Sequence, residues 1–186
     1  MSQCPYPNLF SPIQIGKFRV KNRVVSSPHS GGPNLYRTAG NGYSNFTETA
    51  AQYFGAIARG GAGIVHTGHL GVDPRFSLGS NQELFNFFNK EEHLHEHTLT
   101  VMHMMSDLIH TYGALASLEL NHCGHYGTPV DSSQKLIGPV TCISSKGQEV
   151  IGMDRSEMER VADYFANAAL IGKRGGYDMI NVHAAH

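Results

Sequence analysis

A parallel α/β fold is predicted by the way two hydrophobic periods alternate along the chain. Short apolar runs of strand type, at Arg23–Ser27, Gly63–Thr67, Ala114–Leu120 and Met179–Val182, are separated by three stretches with apolar residues at helical spacing. Glycines close each helical stretch, at Gly60–Gly61, Gly113 and Gly175–Gly176. Polar residues, histidine above all, collect just after the strands. This order fits a small doubly wound sheet or part of a (β/α)₈ barrel. In both, ligands sit where the C-terminal ends of the strands feed into loops.

Each element has its own local signal. Gly16 marks a turn before a short hairpin strand, Lys17–Lys21, whose Phe18 and Val20 face one way. Pro28 stops the first barrel-type strand. The first helix is expected over Asn45–Arg59, with Asn45 as cap, Glu48 three residues on, and Ala50, Phe54, Ile57 and Ala58 on one face. The second is expected from about Glu92 to Thr111, carrying Leu94, Val101, Met105, Leu108 and Ile109. The third opens on a capping box, Ser156-Glu157-Met158-Glu159, and its stripe is Met158, Val161, Ala162, Phe165, Ala168 and Ala169. The long segments Val72–Glu91 and Gly124–Met153 are read as loops that shape a pocket.

Composition narrows the class. The 186 residues, 40% hydrophobic, suffice for one domain with a real core. Lys and Arg number 14 against 15 Asp and Glu, a formal charge of −1 with no basic stripe, which argues against nucleic acid or an anionic membrane surface as partner. No apolar run is long enough for a membrane span, and the opening MSQCPYPNLF is not a signal peptide. Three separated cysteines (Cys4, Cys123, Cys142) argue against a disulfide framework and for a reducing cytoplasm.

The chemistry-bearing residues follow the strands: Ser27-Pro28-His29-Ser30 after the first, Gly68 and His69 after the second, Glu119, Asn121, His122 and His125 at the third, and His183 and His186 at the fourth. Such a cluster beside loop glycines favours a small-molecule site. Three readings of the histidine pair stay open: donors to a substrate oxygen, metal ligands with His122 or Glu119 as third, or a buried pair satisfied by backbone. His93 and His97 in EEHLHEH share a helix face but lack the HExxH order, and a solvated helix start explains them better than zinc. No GxGxxG, GxxxxGK[ST] or GxSxG motif is present, which removes the fingerprints of Rossmann, P-loop and serine-hydrolase chemistry.

Four stretches in register resemble one family. LFSPIQIGKFRVKNRVVSSPHS, FTETAAQYFGAIARGGAGIVHTG, LELNHCGHY and AALIGKRGGYDMINVHAAH are similar to the successive motifs of the old yellow enzyme family of flavin oxidoreductases. The NHCGHY context is nearest the 2,4-dienoyl-CoA reductase and bile-acid or steroid reductase branch. The resemblance implies an FMN-binding (β/α)₈ barrel of which residues 1–186 supply about the first four β/α units, the N-terminal half of that domain. It implies an ene-reductase in which NAD(P)H reduces FMN, and FMN reduces the C=C bond of an enone or enoyl thioester. An amine or steroid dehydrogenase of the same family, and a non-catalytic or metal-binding half-barrel, are the alternatives.

The resemblance also assigns residues. Ser27, Pro28, His29 and Ser30 match the segment along the flavin, Ser30 standing at the family's usual Thr, and Gly68 matches the strand end beside the isoalloxazine. His183 and His186 match the pair that binds the substrate carbonyl; no metal ligand is implied. Glu119 stands where the family has Gln, whose amide pairs with the flavin pyrimidine edge, so a carboxylate there must be protonated or paired elsewhere. His125 replaces an Arg and receives no role. The family's proton-donating Tyr lies two residues beyond the second His, so the chain is read as the front of a longer enzyme. In the dienoyl-CoA reductase branch a 4Fe-4S segment and an FAD domain would follow; homo-oligomerisation is left open.

Overall fold

The computed structural model describes residues 5–29, 36–38, 44–78 and 97–184. At its centre are four parallel strands: β1 (Val25–Ser26), β2 (Ile64–Gly71), β3 (Leu115–Asn121) and β4 (Met179–Val182). They lie side by side in the order β4-β3-β2-β1, so each new strand adds next to the last. Three helices make the crossovers: α1 (Glu48–Arg59), α2 (Thr98–Thr111) and α3 (Arg155–Arg174).

The sheet's helix-facing residues are apolar. Val65, Ala116, Leu118 and Leu120 are fully buried against Ala50, Ala51, Phe54 and Ala58 of α1 and Val101, Met102, Met105 and Ile109 of α2. Burying each larger side chain here contributes roughly 1.5–3 kcal/mol. One polar residue on this face, Thr67, is satisfied by donating to the Tyr177 hydroxyl at 2.8 Å, which donates in turn to the Met105 sulfur. On α3 the expected stripe is only half covered. Ala168 is buried and Val161, Phe165 and Ala169 are partly so, but Met158 and Ala162 stay exposed, because no further helix lies on that flank among the described residues.

The helix ends follow one plan. Each of these three helices ends two residues before a glycine in the left-handed region: Gly61 (φ 109°), Gly113 (φ 68°) and Gly176 (φ 87°). At α2, Gly113 and Ala114 N–H groups return to the carbonyls of His110 and Ile109; at α3, Gly176 and Tyr177 return to Lys173 and Gly172. The chain then enters the next strand within two or three residues. A triplet just before β1 pins this end of the sheet. Lys21 Nζ donates to the Tyr112 carbonyl (2.5 Å), Asn22 Nδ2 to the Gly61 carbonyl (2.8 Å), and Arg23 Nη1 to the carbonyls of Asn8 (2.6 Å) and Ser11 (3.1 Å). Lys21 and Asn22 of the KNR are therefore a structural latch on the exposed carbonyls after α2 and α1, while Arg23 holds the N-terminal segment.

Several boundaries differ from the sequence reading. The N-cap of α1 is Thr47, whose hydroxyl accepts from Ala50 N–H, rather than Asn45. The cap of α3 is Asp154, accepting from Glu157 N–H, so the helix begins at Arg155 and Ser156 lies inside its first turn. The start of α2 expected at Glu92 falls outside the described residues, as does Leu94. The segment after β3 is not a plain loop. It forms a small sheet of Leu136–Gly138, Cys142–Ile143 and Glu149–Gly152 and a hairpin-like pairing of Gly127–Pro129 with Phe76–Leu78 from the segment after β2. The N-terminal hairpin is present, Ile13–Ile15 against Phe18–Val20.

The αL glycine plan predicts a specific weakness. A Cβ on Gly176 would sit 2.4 Å from Ser106 Oγ as well as demanding a left-handed φ. Gly176→Ala is expected to lower stability by about 2 kcal/mol in chemical denaturation, whereas a substitution at exposed Lys173 should change it little.

Candidate active site

Register defines which side chains meet. Val65 and Leu118 face the helices, so their strand neighbours His66 and Gly68 on β2, Ser117, Glu119 and Asn121 on β3, and Asn181 on β4 face the opposite, inner side. A register shift between Thr67 and Leu70 bulges β2, so that Gly71 then lies opposite Asn121. The inner face near the C-terminal strand ends is thus lined by two glycines from β2 and by two amides and a carboxylate from β3 and β4.

Glu119 is the centre of this face. It is 4% exposed, and its Oε1 accepts from Asn181 Nδ2 at 3.0 Å and from His183 Nδ1 at 3.1 Å. Asn181 is its register partner on β4, and His183 follows two residues on, its N–H bonded to the Leu120 carbonyl. Gly68 has φ +100°, and a Cβ there would meet the Glu119 carbonyl at 3.0 Å, so only glycine allows β2 to lie this close. Three buried polar atoms on the same face have no partner among the described residues: His66 Nδ1, Ser117 Oγ and Asn121 Oδ1. Burial pushes the His66 pKa down while the Glu119 charge pulls it up, and the net direction is down.

The residues after β1 are arranged differently. His29 Nδ1–H donates to the Ser27 carbonyl (3.0 Å), which fixes the tautomer, so Nε2 accepts from the Tyr53 hydroxyl (2.6 Å). The ring also meets Tyr53 edge-on and packs against Phe54. His29 therefore braces the segment against α1, with exposed Ser27 and half-buried Pro28 leading into it. Among the sequence-predicted residues, Gly68, Glu119 and His183 come together. Ser30 and His186 lie outside the described residues, as does His93 of the EEHLHEH stretch.

A second polar cluster, unforeseen in the sequence, ties the loops of this end together. Asp73, 2% exposed, accepts from Arg75 Nε (2.9 Å), Nη2 (2.6 Å) and backbone N–H (2.9 Å) and from His122 Nε2 (3.0 Å). Arg75 Nη2 also reaches Glu157 at the start of α3 (2.5 Å). His122 Nδ1 accepts from Gly124 N–H, so both its ring nitrogens are engaged, which removes it as a third metal ligand. Among the described residues no group of three His, Cys, Asp or Glu side chains is placed to hold a metal ion, and no helix is long and apolar enough to cross a membrane. Burial pushes the nearby Cys123 thiol up to about 12, as does the Asp73 charge, so this cysteine stays a thiol.

With a parallel sheet, helices outside and a polar inner face at the C-terminal strand ends, the comparisons with known proteins become decisive. The sequence profile of the NADH:flavin oxidoreductase / NADH oxidase family matches residues 8–186. The chain belongs to this family. Its members are flavin-dependent oxidoreductases, and the strands described above are the first four of the family's (β/α)₈ barrel. Among relatives, 4,4'-dithiodibutanoate disulfide reductase of Rhodococcus erythropolis is 24% identical over all of this chain and 42% of its own length. Cinnamate reductase of Clostridium sporogenes is 25% identical over 97% of the chain and 26% of its length.

Solved structures agree on the fold. Histamine dehydrogenase from Rhizobium superposes with a TM-score of 0.76 at 23% identity, over 97% of this chain and 24% of that one. Old Yellow Enzyme from Pichia superposes with 0.70 at 22% identity, over 95% and 45%. The chain thus spans between about a quarter and two fifths of the length of the curated relatives it matches.

The Asp73 cluster makes a pH prediction for this chain. Burial alone would raise the Asp73 pKa, but hydrogen bonds from His122 and Arg75 outweigh it and hold it at about 2, below the ordinary 3.8. A depressed carboxylate pKa contributes stability that is present above pH 3.8 and lost as pH falls through about 2. Asp73→Asn should therefore be less stable than wild type at pH 6 by about 2 kcal/mol, and the gap should close toward pH 2 in urea denaturation.

Proposed function

We propose that the enzyme carrying this chain is an FMN-dependent ene-reductase acting on the C=C bond of an α,β-unsaturated carbonyl or enoyl thioester, with NAD(P)H as reductant. The observation that carries this reading is the Glu119–His183–Asn181 cluster on the inner face at the C-terminal strand ends, where barrel enzymes bind ligands. FMN fits the residues present. Gly68 and Gly71 bring no side chain from β2 to this face, and the Asn121 amide oxygen opposite Gly71 is buried and has no partner among the described residues. Gly68 and the segment Ser27, Pro28, His29 and Ser30 would flank the bound flavin. Bound and reduced, it supplies a hydride to the β-carbon of the substrate.

The protein's own residues hold the other end of the substrate. His183 and His186 donate hydrogen bonds to the carbonyl oxygen, polarise it and stabilise the negative charge that develops there. Asn181 and Glu119 fix the His183 ring for that task. The similarity to cinnamate reductase supports a conjugated substrate; that to histamine dehydrogenase supports a second reading, in which the same fold oxidises an amine.

The test uses the whole enzyme with its flavin. Wild type is expected to oxidise NADH or NADPH in the presence of 2-cyclohexenone, and His183→Ala with His186→Ala to retain FMN while losing two to three orders of magnitude in kcat/KM for the enone. Enone reduction at the wild-type rate in the double variant would remove the pair from the mechanism. Flavin bleaching by an amine without nicotinamide, with no enone-dependent oxidation of NADH or NADPH, would favour the oxidative reading.

A further inference from the structure

Asn121 is the last residue of β3, and its place on the inner face is fixed from both sides. Leu120 before it is fully buried in the helix-facing core, so the Asn121 side chain goes to the opposite face. On the β2 side its register partner is Gly71, which brings no side chain. On the β4 side Val182 pairs with Leu120, and the His183 N–H continues that ladder to the Leu120 carbonyl at 2.9 Å. The next position therefore sets His183 beside Asn121, on neighbouring strands about 4.8 Å apart. Glu119, against which Gly68 lies, stands one inner-facing step earlier on β3, about 7 Å away. Asn121 is thus level with the imidazole proposed to hold the substrate carbonyl, beyond the Gly68 level proposed to flank the flavin.

Asn121 is 3% exposed, and its Oδ1 has no hydrogen-bond partner among the described residues. The side chains around it are directed elsewhere: Asn181 Nδ2 to Glu119 Oε1, and His122 Nε2 to Asp73. An amide oxygen only accepts, and a buried acceptor without a donor is costly, so a ligand that brings the donor gains what the protein leaves unmade. We propose that Asn121 is a specificity-determining residue, whose amide oxygen accepts a hydrogen bond from a substrate carrying an O–H or N–H group in addition to its conjugated carbonyl. The inference rests on the ene-reductase reading, in which the carbonyl oxygen lies at His183. The second polar group then stands one strand away from the first, a span that a six-membered ring bridges with its substituents. An enone without a donor leaves the Asn121 oxygen unpaired, and a methyl ether in place of the hydroxyl sets acceptor against acceptor. Sites built to hydrogen-bond a substrate hydroxyl reject analogues lacking it far more strongly than apolar pockets reject an extra methylene.

The test uses the full-length enzyme with its flavin, NADH or NADPH, and matched substrates: 2-cyclohexenone, both enantiomers of 4-hydroxy-2-cyclohexenone, and the corresponding 4-methoxy compounds. Wild type is expected to reduce one hydroxy enantiomer with a kcat/KM about tenfold or more above both the parent and its methoxy analogue. Asn121→Leu, close to it in volume, is expected to keep its FMN and melting temperature and to lose that preference. No preference for the hydroxyl in wild type, or a preference undiminished in Asn121→Leu, would overturn the proposal. So would loss of FMN from Asn121→Leu at an unchanged melting temperature, which would assign the amide to the flavin. Should the leucine variant fail to fold, Asn121→Ala gives the same comparison, and the wild-type ratios judge the proposal on their own. Reduction of none of these enones would bring down the ene-reductase reading itself, and this substrate class with it.

Discussion

A parallel strand must give alternate residues to opposite faces, and in this chain that alternation separates stability from chemistry. Val65, Leu118 and Leu120 go to the helices and are fully buried; His66, Glu119, Asn121 and Asn181, interleaved with them, go to the inner face. Neither set can be moved by one residue without exchanging the two faces. Even the irregularity in β2 obeys this constraint. The bulge after Thr67 returns Leu70 to the helix side, opposite Leu120, and Gly71 to the inner side, opposite Asn121.

The two ends of the sheet are held by different means. At the end where strands begin, helices stop at left-handed glycines and the side chains of Lys21, Asn22 and Arg23 occupy exposed carbonyls, an arrangement built almost wholly from backbone acceptors. At the end where strands finish, side-chain charges do the work: Asp73, Arg75, His122 and Glu157 join the loops after β2 and β3 to the start of α3. That is also the end with the buried Asn121 amide oxygen, which has no partner among the described residues.

Much of this was legible in the sequence, for local reasons. Period-two runs and glycine stops located all four strands, because buried parallel strands and αL caps have strong, short-range signals. The cap of α1 was misplaced by two residues, since Asn45 and Thr47 are both good caps and only the strand pairing of Tyr36–Thr38 with Ser44–Phe46 decides between them. The cap of α3 was misread because Ser156-Glu157-Met158-Glu159 imitates a capping box that Asp154 pre-empts. The small sheet after β3 gave no clear period, being made of strands of two to four residues. At the site, Glu119 and His183 stood out as polar residues ending apolar runs. The Asp73–Arg75–His122 cluster did not, because its members lie on two loops and meet only through the fold.

Glu119 links the two halves of the account. In the sequence it departs, as His125 does, from the pattern the resemblance implies; in the structure its Oε1 accepts from Asn181 and His183. The most direct test of the central claim is to photoreduce the full-length protein's flavin without oxygen and then add 2-cyclohexenone. The account predicts that the visible absorption of oxidised flavin returns as the enone is consumed. A flavin that stays reduced with enone, yet is bleached from its oxidised form by a secondary amine, would contradict it.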